Sequence, residues 1–164
     1  MNERLTRVIE ADLARPEHQA AIILMVDAYA GDPMGHGESL SRVARMNLIA
    51  ELRQHPTAMV FLAYQETEPV GIAVCFREFS TFAARPLLHI ADYFVYSAYR
   101  GTGVGRQILE TVEERARALG FYRLTLEMRA DNERGKALST AAGFTPKVQS
   151  SDGAAIQLLA KELR

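Results

Sequence analysis

The chain has 164 residues, 48% of them hydrophobic, so its length matches one domain, residues 1–164, with enough apolar residues for a core. Lys and Arg number 19 against 20 Asp and Glu, and the basic residues are spread along the chain, which excludes a nucleic-acid surface. The only cysteine, Cys75, excludes an internal disulfide and a cysteine-based metal cluster and predicts a reducing, cytoplasmic setting.

Local patterns predict neither a membrane partner nor a metal. The start, Met1 to Arg4, lacks an apolar signal core, and the longest apolar run, Ala20 to Val26, is far shorter than the ~20 residues of a membrane span. The histidines show no ligand spacing; they are His18, His36, His55 and His89.

The first third of the chain predicts one strand followed by two helices. The strand runs from Arg7 to Ala11, and a helix with one apolar face begins at Glu17. Three glycines and a proline make Ala30 to Gly37 a loop. A second helix is predicted from Ser39 to Gln54, because Pro56 stops it.

Three strands are predicted next. Ala58 to Tyr64 and Val70 to Phe76 have strand composition and are joined by a polar turn, which predicts a hairpin. Phe79 to Pro86 is predicted as a loop with two aromatic residues. The apolar run from Leu88 to Tyr96 contains no glycine or proline and is typical of a buried central strand.

Glycines alternate at positions 101, 103 and 105 after this strand, and a helix closed by Gly120 follows. A glycine turn at a helix start leaves several backbone N–H groups free at a positive helix end, which favours phosphate binding. A P-loop would need a lysine, and none lies between Met1 and Leu119; a dinucleotide loop would need a glycine where Arg106 stands.

The last third predicts a strand from Arg123 to Met128 and a short helix capped by Asp131 and Asn132 and ended by Gly143. One or two strands are predicted from Gly153 to Ala160. The predicted order is therefore strand, two helices, three strands, helix, strand, helix and strand, which indicates an α/β chain with a mixed sheet.

Arg100, Gly103 and Gly105 fill the pattern Arg-x-x-Gly-x-Gly, and Asn132, Leu138, Gly143 and Phe144 fill a second pattern at the expected distance. With this element order, the chain resembles the GNAT superfamily of N-acetyltransferases. The resemblance implies the GNAT fold, a central mixed, mostly antiparallel β-sheet flanked by helices, with acetyl-coenzyme A as the acyl donor. The implied cofactor-binding residues are Phe94, Val95, Arg100, Gly101, Thr102, Gly103, Val104, Gly105, Arg106, Asn132 and Ser139.

The resemblance also implies roles within this set. The thioester carbonyl is expected at the backbone N–H of Val95 and the pyrophosphate on the amides from Gly101 to Gly105. Arg100 and Arg106 are expected to add charge there, or, for Arg106, to be a solvated residue of the first helical turn.

Amide formation from a thioester needs a neutral amine, a polarised carbonyl and a stabilised leaving thiolate. Relatives place a tyrosine near the sulfur where this chain has Ser139, whose hydroxyl is shorter and a weaker acid. Ser139 stays a candidate acid beside three alternatives: water protonates the thiolate, Tyr93 does so, or the thiolate leaves without help from the enzyme.

Asp92 is the first candidate for the base, and Glu127 is the second. Asp92 alternates with Ile90 and Phe94 and is therefore expected on their buried face, where desolvation raises the pKa of a carboxyl. The alternative is that Asp92 hydrogen-bonds the backbone. The surrounding segment also looks like that of diamine acetyltransferases, which carry their carboxylate one position earlier, where this chain has Ala91.

Acceptor specificity is expected in two loops, Gly31 to Glu38 and Phe79 to Arg85. The carboxylates available to attract a cationic amine are Asp32, Glu38 and Glu78. Phe79 and Phe82 are expected either to line a pocket or to pack beneath their own loop.

The function favoured by the sequence is transfer of an acetyl group from acetyl-coenzyme A to a primary amine of a small molecule, by direct attack in a ternary complex. Cationic and amino-acid-like amines are both expected as acceptors. The opposing hypothesis is a non-catalytic acyl-coenzyme A binding module, and a dinucleotide oxidoreductase is a third. By family analogy, the partner expected besides the amine is a second copy of the chain.

Overall fold

The computed structural model describes residues 5–147 and 156–163. Its elements are β1 (Thr6–Glu10), α1 (Pro16–Gly31), α2 (Arg42–Gln54), β2 (Ala58–Gln65), β3 (Glu68–Ser80), β4 (Arg85–Val95), a 3-10 turn (Ser97–Tyr99), α3 (Val104–Ala118), β5 (Arg123–Arg129), α4 (Glu133–Ala141), β6 (Thr145–Pro146) and β7 (Ile156–Glu162). This is the predicted order with the short β6 added. The start of the predicted last strand, residues 153–155, lies outside the described residues.

The described strands form one sheet in the order β1-β2-β3-β4-β5-β7-β6. Every described pair is antiparallel except β4 and β5, so the predicted mixed, mostly antiparallel α/β fold is confirmed. The parallel pair extends only from Leu88 opposite Leu124 to Ile90 opposite Leu126. Beyond these residues the two strands diverge and leave a gap in the centre of the sheet.

Helices cover both faces of the sheet. The buried stripe of α3, which includes Ile108 and Val112, packs with Leu88 and Leu124 on one face, and Leu138 of α4 packs against the same cluster. The other face is covered by α1 and α2, whose buried residues pack with Leu62, Ile72 and Phe94 of the strands; they are Ala21, Ile22, Met25 and Leu52. No helix in the described ranges is both long enough and apolar enough to cross a bilayer.

A β-bulge at Ala91 changes which side chains of β4 share a face. Val74 of β3 lies opposite Asp92, whereas the next residue, Cys75, lies opposite Ile90. The extra residue inverts the alternation, so Asp92 and Phe94 face α1 while Ile90 faces α3. The prediction that Asp92 shares a face with Phe94 agrees with this register; the prediction that it shares a face with Ile90 is wrong.

Half of the segment predicted as a loop from Phe79 to Pro86 is strand. β3 and β4 extend to Ser80 and Arg85 and are joined by a tight turn, in which Ala84 has a φ of +51°. Phe79 and Phe82 are both largely exposed at this hairpin, so they do not pack beneath a loop, and they do not line the cavity at the gap between β4 and β5.

Candidate active site

A cavity of about 1250 Å³ opens where β4 and β5 diverge. It reaches from the loop after α1 on one face of the sheet to the glycine loop and α4 on the other. The predicted site residues that line it are Asp92, Tyr93, Phe94, Val95, Arg100, Gly101, Gly103, Gly105, Arg106, Glu127 and Asn132. Thr102, Val104 and Ser139 do not line it.

The glycine loop exposes the start of α3 to this cavity. Gly103 is the N-cap residue of α3 with a φ of +92°, a left-handed conformation that favours glycine, and no side chain caps the helix there. A Cβ on Gly101 or Gly103 would meet no described heavy atom within 4 Å. The first N–H groups of α3 are therefore open to an anionic group in the cavity.

The backbone of Val95 points into the gap between the diverging strands. The N–H of the next residue, Tyr96, donates at 3.0 Å to the carbonyl of Val70 in β3 and therefore points to the β3 edge of β4. Because alternate residues of a strand direct their backbone groups to opposite edges, the Val95 N–H is directed toward the β5 side. This orientation is what a donor to a thioester carbonyl requires.

Arg100 bridges the two halves of the cavity. Its Nη2 donates to Oδ2 of Asp32, in the loop after α1, at 2.8 Å, and its Nε donates to the Val95 carbonyl at 2.9 Å. The guanidinium also lies over the Phe94 ring, 5.6 Å from the centroid. Arg100 was expected to meet the pyrophosphate, and in this arrangement its charge is already shared with a carboxylate.

Three further predicted cofactor residues have local partners. Arg106 pairs with Glu110 at 2.7 Å on the exposed surface of α3. The Thr102 hydroxyl donates to the Tyr99 carbonyl. Asn132 caps α4, since its Oδ1 accepts the Gly135 N–H at 2.9 Å. These contacts shape the loop and α4, and Arg106 and Asn132 also face the cavity.

Asp92 and Glu127 contribute two carboxylates to the cavity from neighbouring strands. Asp92 is partly buried and Glu127 is exposed, and neither carboxylate has a hydrogen bond or ion pair with another described residue. Burial raises the pKa of Asp92 above the ordinary value of 3.8, against the opposing attraction of His36 and His89. A carboxylate in such surroundings is suited to accept a proton.

The two candidate acids lie in different surroundings. The Tyr93 hydroxyl is buried beside Gly105 and has no partner among the described residues, and burial raises its pKa. Ser139 is fully buried and donates to the Gly135 carbonyl at 2.7 Å. Of the two, Tyr93 alone lines the cavity, and the placement of Ser139 does not support a role as acid.

Several other residues of the cavity were not among the individually predicted site residues. Tyr29 of α1 packs its ring 5.6 Å from that of Phe94, and burial, together with the nearby Asp92 charge, raises its pKa. Met34, Gly35 and His36 line the cavity from the loop that was expected to determine acceptor specificity. Tyr29 could not be found from the pattern, because the apolar residues of α1 are spread around the helix and no spacing distinguishes this one.

The site is thus a cavity between diverging parallel strands, with open helix amides on one face of the sheet and two carboxylates on the other. The model of the Acetyltransferase (GNAT) family matches residues 15–144. The chain therefore belongs to this family, which confirms the resemblance found in the sequence.

Individual relatives agree with this assignment. The chain is 34% identical over 55 residues to the uncharacterized N-acetyltransferase YycN of Bacillus subtilis and 40% identical over 55 residues to YdgE of the same organism. Each match spans 34% of this chain and about a third of the relative, 35% of its length.

A solved structure extends the likeness of fold to the whole sheet. It is that of a putative acetyltransferase from Salmonella typhimurium with its cofactor acetyl-CoA, with a TM-score of 0.71 and 20% identity, over 97% of this chain and 94% of that one. At this identity the likeness concerns the fold. The expectation of acetyl-coenzyme A as the donor is confirmed for the family to which the chain belongs.

Proposed function

We propose that this protein is an N-acetyltransferase that moves the acetyl group of acetyl-coenzyme A to the primary amine of a small cationic molecule. The observation that carries the proposal is the Asp92 carboxylate. It lies in the cavity at the gap between β4 and β5, on the sheet face opposite α3, and makes no hydrogen bond or ion pair with the described residues.

The side of the cavity formed by the glycine loop and the end of β4, called here the donor half, supports the proposal through its backbone groups. The open amides at the start of α3 suit a pyrophosphate, because a helix N-terminus carries partial positive charge. The Val95 N–H, directed into the gap, suits the carbonyl oxygen of the thioester and the negative charge that develops on it.

The other side, called here the acceptor half, is lined by the loop after α1, Asp92 and Glu127, and its charges favour a cationic amine as the acceptor. Asp92 and Glu127 together contribute two carboxylates to the lining of the cavity, whereas Arg100 is neutralised by Asp32. An ammonium group is attracted to such a site, and Asp92 then takes its proton. The neutral nitrogen attacks the carbonyl carbon and a C–N bond forms. The C–S bond then breaks, and the second proton of the nitrogen passes to the departing sulfur, so that the products are the neutral amide and the coenzyme A thiol.

The non-catalytic binding module is not favoured, since the cavity continues beyond the donor half to these carboxylates. The deciding experiment measures release of coenzyme A thiol from acetyl-coenzyme A with spermidine, putrescine and L-lysine, and with aniline as an uncharged control. Thiol release that depends on a cationic amine supports the proposal. Saturable binding of acetyl-coenzyme A without amine-dependent thiol release would instead identify the module.

A further inference from the structure

Asp32 joins the two walls of the cavity through one carboxylate. Its Oδ1 accepts the Met34 N–H at 3.0 Å within the loop after α1. Its Oδ2 pairs with Arg100 at 2.8 Å, and the same guanidinium holds the Val95 carbonyl at 2.9 Å. One ion pair therefore connects the loop after α1, where acceptor specificity is expected, to the end of β4 at Val95, whose N–H is proposed to bind the thioester carbonyl.

We propose that Asp32 is a positioning residue, whose ion pair with Arg100 holds the loop segment from Met34 to His36 in place and thereby sets the affinity for the acceptor. The inference rests on the proposed function and deepens it. It adds a residue that does not touch the reacting atoms but determines how the acceptor half of the site is built.

The backbone of the loop makes Asp32 its centre. The Asp32 carbonyl accepts the N–H groups of Gly35 at 2.8 Å and Gly37 at 3.2 Å, so the turn closes on this residue. Gly35 also packs so closely on the Tyr29 carbonyl that a Cβ there would overlap it. A displacement of Asp32 would therefore move Met34, Gly35 and His36, which line the cavity.

Arg100 fixes the other end of this connection. Its guanidinium contacts the Asp32 carboxylate, the Val95 carbonyl and the Phe94 ring, all of them within the protein. A guanidinium already paired with a carboxylate contributes little further charge to a phosphate. Loss of the ion pair should therefore change acceptor affinity far more than donor affinity.

Asp32→Asn isolates the ion pair, because the asparagine oxygen can still accept the Met34 N–H. The matched control is Asp27→Asn. Asp27 pairs with Arg45 at the same distance of 2.8 Å, with a side chain 20% exposed against 13% for Asp32, and accepts the Leu40 N–H at 2.9 Å. The control therefore removes an equivalent ion pair that does not reach the glycine loop.

The assay uses whichever of spermidine, putrescine and L-lysine the wild-type protein acetylates fastest, with calorimetric titration of acetyl-coenzyme A. Asp32→Asn and Arg100→Gln should each raise the KM for the amine about five- to tenfold, and the double variant no further. In Asp32→Asn the kcat and the Kd for acetyl-coenzyme A should stay within about twofold of wild type, and Asp27→Asn should match wild type in all three quantities.

A wild-type KM in Asp32→Asn would overturn the inference, as would a change in the Kd for acetyl-coenzyme A as large as the change in the amine KM. Strictly additive effects in the double variant would overturn it as well. These failures leave the proposed function intact, because the wild-type protein must be active for them to be seen. If wild-type protein acetylates none of the amines, the proposed function fails and the inference fails with it.

Discussion

The hydroxyl of Tyr93 lies against the Cα of Gly105, so closely that a Cβ on Gly105 would overlap it. This contact brings the first turn of α3 directly onto β4. It explains in steric terms why the third glycine of the loop is required, whereas Gly101 and Gly103 are required by their positive φ angles.

Gly105→Ala should therefore lower both the melting temperature and the affinity for acetyl-coenzyme A, since Tyr93 or the helix must move. Overpacking of this kind typically costs about 1–3 kcal/mol. The double variant with Tyr93→Phe should recover part of the loss, because it removes the oxygen that overlaps most and leaves the ring at ordinary contact distance, 3.5 Å from the added Cβ. The end of the Leu138 side chain, 2.9 Å from that Cβ, must still shift. Unchanged melting in the single variant would contradict this packing.

Gly103→Val should abolish binding of acetyl-coenzyme A, because a branched side chain would stand in front of the open helix amides. Gly120→Val is the matched control. Gly120 has a φ of +79° against +92° for Gly103, and a Cβ at either position meets open space, but Gly120 does not line the cavity. Both variants should lose similar stability by circular dichroism, and only Gly103→Val should fail in calorimetric titration. Equal binding by the two folded variants would mean that the loop is only a structural turn.

Two aspartates of the site should affect stability with opposite signs. Burial raises the pKa of Asp92, so its stabilising protonated form prevails below the ordinary value of 3.8, and this stability is lost as pH rises through the folded-state pKa. Burial also acts to raise the pKa of Asp32, but the hydrogen bond from the Met34 N–H and the charge of Arg100 outweigh burial, and the net pKa is lowered. The ionised Asp32 therefore stabilises the fold, and this stability is lost as pH falls through the lowered pKa.

At pH 7, Asp92→Asn should therefore raise the melting temperature and Asp32→Asn should lower it, by about 2–4 °C for each 1 kcal/mol. Both differences should shrink as the pH falls, once the wild-type carboxyls are protonated. Melting curves from pH 3 to pH 8 check this, and a shift of the same sign in both variants would contradict it.

Cys75 should not react with thiol reagents in the native protein. The residue is 0% exposed, and burial raises the pKa of its thiol strongly, so little thiolate forms. A disulfide reagent should modify it only after denaturant is added, which also means that the thiol released in the acetyl-transfer assay can be measured against a low background. Rapid native modification would show that the central strands open readily.

The sequence was sufficient for most of the elements and for the glycine turn at the start of α3, because both depend on local patterns. The glycines at 101, 103 and 105 follow a buried strand and precede a strongly periodic helix, and this context is visible within about 30 residues. The loop between β3 and β4 was predicted too long, because Phe79 and Ser80 end β3 and Arg85 begins β4. Phe82 lies exposed in the turn between them.

The acceptor half of the site depends on contacts that no local pattern encodes. Asp32 and Arg100 are 68 residues apart in the chain. The bulge at Ala91 inverts the alternation of β4, so Asp92 could not be assigned to the correct neighbours from period-two spacing alone. Ser139 matched a family position, but its burial and its bond to Gly135 become visible only in three dimensions.

The central claim is that Asp92 takes the amine proton in a cavity whose other half binds acetyl-coenzyme A. It is tested most directly by amine-dependent thiol release at saturating acetyl-coenzyme A, measured for wild type and Asp92→Asn over a range of pH, with calorimetric titration of the donor. The account predicts that Asp92→Asn loses about 10²-fold or more in kcat while its Kd for acetyl-coenzyme A is unchanged. Wild-type turnover in a folded Asp92→Asn protein at every pH would contradict it.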